Sequence, residues 1–449
     1  GPLLICACMN TGASRNKAIN ILFIFVRLVS LWLTNFPMAY YSIQNIPLTD
    51  LAKEFGTPLY VYDANKIREK ISVLRAAFEG IDLTIKYAVK ANTNLSILRL
   101  MRENDVDMDV VSPQELEMGL IAGYEGSNIT FTPSGVHFSE IEYAVSKGAI
   151  VNLDNLSVLD KFGATYGSSQ PCLIRIKPHV FGGGNEKIMT AHPESKFGIS
   201  IHQKAEILAI IKKYNMNVIG LHQHTGSDIK DGKTFERAAS ALFDFAYDFK
   251  DLRIIDLGGG FKVPYSPEDP GVNMQEVGKI MSNAFHAFCT KYGRVLRLWV
   301  EPGKFLVSES GTFLAETNVV KRDPVKIFVG INTGLNHLIR PMMYGAYHYI
   351  FNASNQDTSK QEEYRVSGYI CETDTFSFDL KGKENERLLN EVKEGDIIAM
   401  ANAGAYGFTM ASHYNSRFLP AEVLVDGGLA RVIRKRETME DILKNQELG

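Results

Sequence analysis

Lys90 stands at the end of a short apolar run, in the string Tyr87-Ala88-Val89-Lys90-Ala91-Asn92. A lysine in such a place is ordinarily a solvated strand end. Four further polar groupings give this one a different setting: His224-Thr225-Gly226-Ser227, Gly258-Gly259-Gly260-Phe261, Glu301-Pro302-Gly303-Lys304 and Cys371-Glu372. An amine can capture an aldehyde, consecutive glycines leave backbone N–H groups open to an anion, and a carboxylate can hold a proton on a heteroaromatic nitrogen. One kind of molecule needs all three, an aldehyde-bearing phosphorylated pyridine such as pyridoxal 5'-phosphate. Taken alone, Gly258, Gly259 and Gly260 carry little weight. A tight turn uses glycine too, and their spacing matches neither a dinucleotide fingerprint nor a Walker loop.

Groups so far apart in sequence need a large fold to bring them together. The chain has 449 residues, 45% of them hydrophobic, which is ample for a substantial core and favours two domains over one. Its 48 basic and 51 acidic residues give a formal charge of -3 without a basic block, so nucleic-acid binding finds no support. The five cysteines, Cys6, Cys8, Cys172, Cys289 and Cys371, are few and irregularly spaced. That usage predicts a reducing, cytoplasmic setting, no disulfide framework and no metal site. Residues 1–39 differ in composition from the rest of the chain. Arg15 and Lys17 precede an apolar run that Arg27 interrupts, too short to span a bilayer and an incomplete signal pattern. They read as a leader outside the fold, with Met38 a candidate native start and Gly1-Pro2 a cloning remnant.

The elements that would position the polar groups follow from periodicity. Asp63 caps a predicted helix running through Phe78, with Ile67, Ile71, Leu74 and Phe78 on one face. Eight short β-prone runs come next, at 83–89, 107–111, 128–131, 150–153, 172–177, 218–221, 253–257 and 298–301. Between them lie helical stretches such as 114–122, 138–147, 203–213, 234–249 and 274–290. This count and rhythm predict an α/β fold, a parallel (β/α)8 barrel of the TIM type. An open doubly wound sheet competes, but it would not ordinarily need eight such units. In a barrel the polar groups share an address, because Lys90, Asp109, His222, His224, Gly258, Gly259, Gly260 and Glu301 all fall at or after C-terminal strand ends. Past Gly311 the rhythm changes to β-prone runs at 312–321, 324–329, 364–371, 396–400 and 422–426, the pattern of an all-β C-terminal domain. The expected division is a leader at 1–39, a lead-in at 40–62 that can pair with the β-domain, a barrel at 63–311 and the β-domain at 312–449. The polar stretches 352–363 and 381–394 are expected outside that domain's core.

These groupings, with Phe55-Gly56-Thr57-Pro58-Leu59-Tyr60-Val61-Tyr62, Arg340-Pro341, Tyr344 and Ala405-Tyr406-Gly407, occur in an order that resembles the fold-type III pyridoxal-phosphate decarboxylases, over 46–434. The likeness is nearest to the branch acting on meso-diaminopimelate. It implies a homodimer whose active sites take Cys371 and Glu372 from the neighbouring subunit, without nucleic-acid or membrane partners. It implies that Lys90 forms the internal Schiff base and His224 stacks on the cofactor ring. Ser227, Gly258, Gly259 and Gly260 would hold phosphate with help from Tyr406, and Glu301 would bond the pyridine nitrogen. Asp109 and Gly303 would join the cofactor contacts. Lys304, Arg340, Tyr344 and Tyr406 would meet the substrate's distal end with Glu372, and either Cys371 or Lys90 would return the proton after carbon dioxide leaves. The implied reaction converts meso-diaminopimelate to L-lysine. Decarboxylation of ornithine or arginine is the alternative, and a non-catalytic cofactor-binding regulator a remoter one.

Three departures stand out. The family usually carries arginine where this chain has Lys304, and an ammonium cannot present a two-pronged fork to a carboxylate. Asp374 sits one residue earlier than the aspartate of the usual pattern, which leaves its membership of the site open. The glycine-rich run 181–184 with His192 reads as a mobile loop whose histidine makes a local contact. For Lys90 to act as a nucleophile it must be neutral, and partial burial with neighbouring cations is the expected means.

Overall fold

The computed structural model describes residues 38–180 and 194–447. Cys6, Cys8, the run 181–184 and His192 lie outside the described residues, as does most of the leader. Among the described residues no helix is long and apolar enough to cross a membrane.

Eight parallel strands close into a barrel: Leu83–Ala88, Asp107–Val110, Ile129–Phe131, Ile150–Leu153, Pro171–Lys177, Asn217–His222, Ile254–Asp256 and Arg297–Val300. Closure comes from the last strand pairing with the first, Leu298 beside Leu83, and from Asn217–His222 bridging Pro171–Lys177 and Ile254–Asp256. The strands are buried on both faces and so read as short apolar runs rather than as an alternation. A further short strand, Ile199–Ser200, pairs in parallel with the C-terminal end of the fifth barrel strand, Ile199 beside Ile176. Helices return the chain between strands, and their starts are chemically marked. Asp63, Asn94, Ser112, Asn155, Asp231 and Asn273 each accept a hydrogen bond from a backbone N–H in the first turn of the adjoining helix.

The second sheet is mostly antiparallel and has nine strands. Its centre is the long strand Gly311–Arg322, which pairs with Ile327–Ile331, with Ile397–Met400 and with Leu59–Asp63. Leu59–Asp63 precedes the barrel in sequence but lies between Gly311–Arg322 and Ala421–Asp426. The stretches expected outside this core are partly inside it. Gln361–Ser367 and Arg387–Asn390 are paired strands, and Asn352, Leu389 and Val392 are buried. A charged residue disguises the second of these strands. The buried Arg387 guanidinium donates to the His348 and Phe378 carbonyls at 3.1 Å each, so its charge stays within the fold.

Candidate active site

Lys90 lies on a single turn of 3-10 helix, Val89–Ala91, directly after the first barrel strand. Val89 and Ala91 are buried, while the Lys90 side chain is exposed to a cavity it shares with His224, Ser227, Gly260, Glu301 and Tyr406. The cavity encloses about 440 Å³ of space between atoms, part of it open to solvent. Tyr406 comes from the region of the second sheet and is tied to the Lys90 turn, its N–H donating to the Ala91 carbonyl at 2.8 Å. Asn92 Nδ2 adds a bond to the Gly404 carbonyl at 3.2 Å.

Enclosure by the barrel mouth would by itself depress the Lys90 ammonium, but Tyr406, Asp109 and Glu301 outweigh it and hold its pKa above the ordinary lysine value. The expectation of neighbouring cations is therefore corrected. Of the groups acting most strongly on Lys90, only Arg175 is cationic. Before it meets an aldehyde, Lys90 is held as the ammonium.

The glycines form a wall that no side chain could replace. Gly226, Gly258 and Gly260 have φ of 143°, 66° and 102°. A Cβ on Gly260 would stand 2.3 Å from the Gly226 carbonyl oxygen, and one on Gly259 would stand 2.1 Å from the Glu301 carbonyl oxygen. Gly259 N donates to His224 Nδ1 at 3.2 Å. That nitrogen must therefore lack a proton. Burial, then the Lys90 and Arg175 charges, push the His224 pKa well below its usual value. His224 thus presents a neutral ring.

Glu301 sits just past the eighth strand and is buried beside His222, whose Nε2 lies 3.0 Å from its Oε2. Burial would raise the Glu301 pKa, but the His222 hydrogen bond and the Lys90 ammonium reverse that effect and keep it ionised. Its other oxygen, Oε1, is buried without a hydrogen-bond partner among the described residues. Asp256 ends the seventh strand and accepts from Gly258 N at 2.9 Å. Burial and the Glu301 charge push Asp256 well up, and the same two causes raise Asp109. His222, Asp256 and Glu301 offer atoms within 4.8 Å of one another. Part of that approach is the His222–Glu301 hydrogen bond itself.

Pyridoxal phosphate fits these residues on observations independent of any likeness. An amine stands in a cavity, the glycine wall admits no Cβ, and a buried, ionised carboxylate keeps one oxygen without a donor. Gly303 lines the same cavity. Asp109 is buried without lining it.

The remaining candidates are less concentrated. Arg340 opens the short helix Arg340–Tyr344, is 9% exposed, and stands over the Tyr406 ring at 5.9 Å. Tyr344 is half-buried at the end of that helix. Lys304 lines the cavity but is bonded to Asp228 and Tyr265. Cys371 and Glu372 are exposed and line no part of the cavity. Asn415 Nδ2 lies 3.1 Å from Cys371 Sγ, and Tyr414 OH donates to Glu372 at 2.8 Å. Asp374 is structural, its carboxylate accepting from Leu335 N and Ile370 N.

Sequence reasoning places His222 at the mouth without a role and does not single out Asp256, Asp228 or Tyr265. Asp256 is within its reach, since a polar residue ending a buried barrel strand faces the mouth. Asp228 and Tyr265 are not, because only the folded loops bring them to Lys304.

A closed parallel barrel carrying such a lysine, glycine wall and buried glutamate defines a class of pyridoxal-phosphate enzyme. The family model described as the pyridoxal-dependent decarboxylase, pyridoxal binding domain, matches residues 64–308. The chain is 36% identical over 408 residues to the diaminopimelate decarboxylase of Methanothermobacter thermautotrophicus, covering 89% of this chain and 94% of that protein. It is 35% identical to the Escherichia coli diaminopimelate decarboxylase, covering 88% and 95%. The crystal structure of Helicobacter pylori diaminopimelate decarboxylase complexed with L-lysine superposes with a TM-score of 0.80 at 32% identity, covering 88% of this chain and 98% of that one. The chain belongs to the diaminopimelate decarboxylase family of pyridoxal-dependent decarboxylases.

Proposed function

We propose that this protein converts meso-2,6-diaminopimelate to L-lysine and carbon dioxide, the last step of lysine biosynthesis, as a cytoplasmic homodimer. The observation that carries the reading is the convergence of Lys90, the glycine wall and the ionised Glu301 on one cavity, with the Arg340 guanidinium near its edge.

When bound, pyridoxal phosphate supplies the electron sink for the pair left behind as carboxylate departs. Lys90 supplies the amine that holds it and gives it up to the substrate's amino group. Tyr406, Asp109 and Glu301 keep that amine charged beforehand, so it must lose a proton to react. Ser227 and the N–H of Gly260 anchor phosphate, with Tyr406 alongside; Gly258 and Gly259, whose N–H groups are taken by Asp256 and His224, shape the turn that admits it, and Gly303 lines the cavity wall. Anchoring fixes the direction in which the breaking bond points. Glu301, ionised and steadied by His222, keeps a proton on the pyridine nitrogen. His224 offers its neutral ring as a stacking surface.

Arg340 and Tyr344 receive the distal carboxylate, a group that ornithine and lysine lack. How much of the Lys304 charge reaches that carboxylate depends on Asp228. Glu372 of the partner subunit receives the distal ammonium. Cys371 of the partner subunit, or Lys90, returns a proton to the carbon that lost carboxylate. The exposure of Cys371 and Glu372 in one chain supports their use across a subunit boundary.

Side-by-side assays of carbon dioxide release from meso-diaminopimelate, ornithine and arginine test the proposal. Lysine should appear in step with carbon dioxide from the first substrate alone. Preferential release from ornithine or arginine would reject the assignment, and no release from any of them would favour a binding protein.

A further inference from the structure

Two cations stand beside the cavity, and they are in different states. Arg340 has no hydrogen bond or ion pair to its guanidinium among the described residues, although it is 9% exposed. Lys304 is fully engaged. Its Nζ lies 3.0 and 2.9 Å from the two carboxylate oxygens of Asp228 and 2.8 Å from the Tyr265 hydroxyl. An ammonium has three N–H donors, and here three acceptors meet them. The Tyr265 hydroxyl in turn donates to Asp228 Oδ1 at 2.8 Å, closing the ring.

The ring is held from three loops of the barrel mouth, those after the sixth, seventh and eighth strands. Lys304 begins the short helix Lys304–Val307 after the eighth strand. Asp228 comes after the sixth strand at φ 61°, and the next residue is fixed by Ile229 N donating to the Gly260 carbonyl at 2.9 Å. Side-chain exposures of 8% for Lys304 and 18% for Asp228 shield the pair from solvent. Burial lowers the Lys304 pKa to about 8 against the pull of Asp228, with Arg340 adding repulsion.

We infer that Asp228 is a specificity-determining residue: by occupying Lys304 it withholds that ammonium from the substrate and leaves Arg340 as the cation that reads the distal carboxylate. The inference rests on the decarboxylase reading for the identity of that carboxylate. Removing the Asp228 charge should give the cavity a second available cation and tighten its hold on dicarboxylates.

Pimelate, a seven-carbon dicarboxylate without amino groups, is a probe that requires no turnover. Calorimetric titration into the cofactor-loaded enzyme, in mildly acidic buffer so that Lys304 stays protonated, should show Asp228→Asn binding about tenfold tighter than the parent. Adding Lys304→Met to that variant should abolish the gain. Unchanged or weaker binding by Asp228→Asn would overturn the inference, as would a gain that survives in the double variant. Should Asp228→Asn fail to fold, Tyr265→Phe removes one of the three acceptors and should give a smaller gain in the same direction; none would count against the inference. Absence of meso-diaminopimelate turnover by the parent enzyme would reject the substrate assignment separately, because pimelate binding reports only the cavity's charge.

Discussion

At the scale of single residues, the site divides into groups that hold the cofactor and groups that select the substrate. Lys90→Ala removes the amine and its charge together, so turnover should fall by orders of magnitude. Borohydride reduction and then peptide mass analysis should find the cofactor on Lys90 in the parent and nowhere in the variant. An adduct on another lysine would reject the assignment. Arg340 acts at the other end. Arg340→Ala should cost about 2–4 kcal/mol of transition-state stabilisation for meso-diaminopimelate, since a carboxylate would be left without its partner. The check is kcat/KM for meso-diaminopimelate against ornithine, with cofactor occupancy measured independently. An unchanged ratio would remove Arg340 as the selector even if both rates fell.

At the scale of elements, the turn after the seventh barrel strand should tolerate no side chain. Gly260→Ala would put a Cβ against the Gly226 carbonyl at a φ of 102°, and strain of about 1–3 kcal/mol should appear as weaker cofactor binding. Equilibrium dialysis measures it, and parent-like affinity would show that the turn yields freely. The second sheet carries a different liability. Burial pushes His348 down to about 3 and His337 to about 4, so both stay neutral in the folded protein while the unfolded chain protonates them near pH ~6.5. Their stabilising effect is complete above that value and is lost as pH falls from it towards the folded values, by roughly 3 kcal/mol each near pH ~4. Denaturant midpoints should fall accordingly, and His348→Gln should flatten the fall. The eight barrel strands are legible in the sequence because buried parallel strands are short apolar runs, and the start of the first barrel helix is legible because Asp63 is a capping residue. Strand Arg387–Asn390 is hidden by a charge that the fold satisfies internally. The Asp228–Lys304–Tyr265 ring is hidden for another reason: its members meet only once the barrel loops are in place.

At the scale of the whole molecule, the exposed Cys371–Glu372 segment raises the question of what completes the site. In a dimer with shared sites, Lys90→Ala and Cys371→Ala subunits should complement when mixed, because one of the two sites in a heterodimer keeps both residues intact. Activity regained after controlled subunit exchange supports the arrangement; none despite verified heterodimers would refute it. The placement of Leu59–Asp63 has a consequence of another kind. This strand leaves the ribosome before any of the barrel, yet its neighbours Gly311–Arg322 and Ala421–Asp426 are made only afterwards. Throughout synthesis of the barrel both of its edges lack their native partners. The second sheet therefore cannot be finished as the chain emerges in order, and the growing polypeptide must keep an early strand from pairing with the wrong neighbour until its last portion arrives.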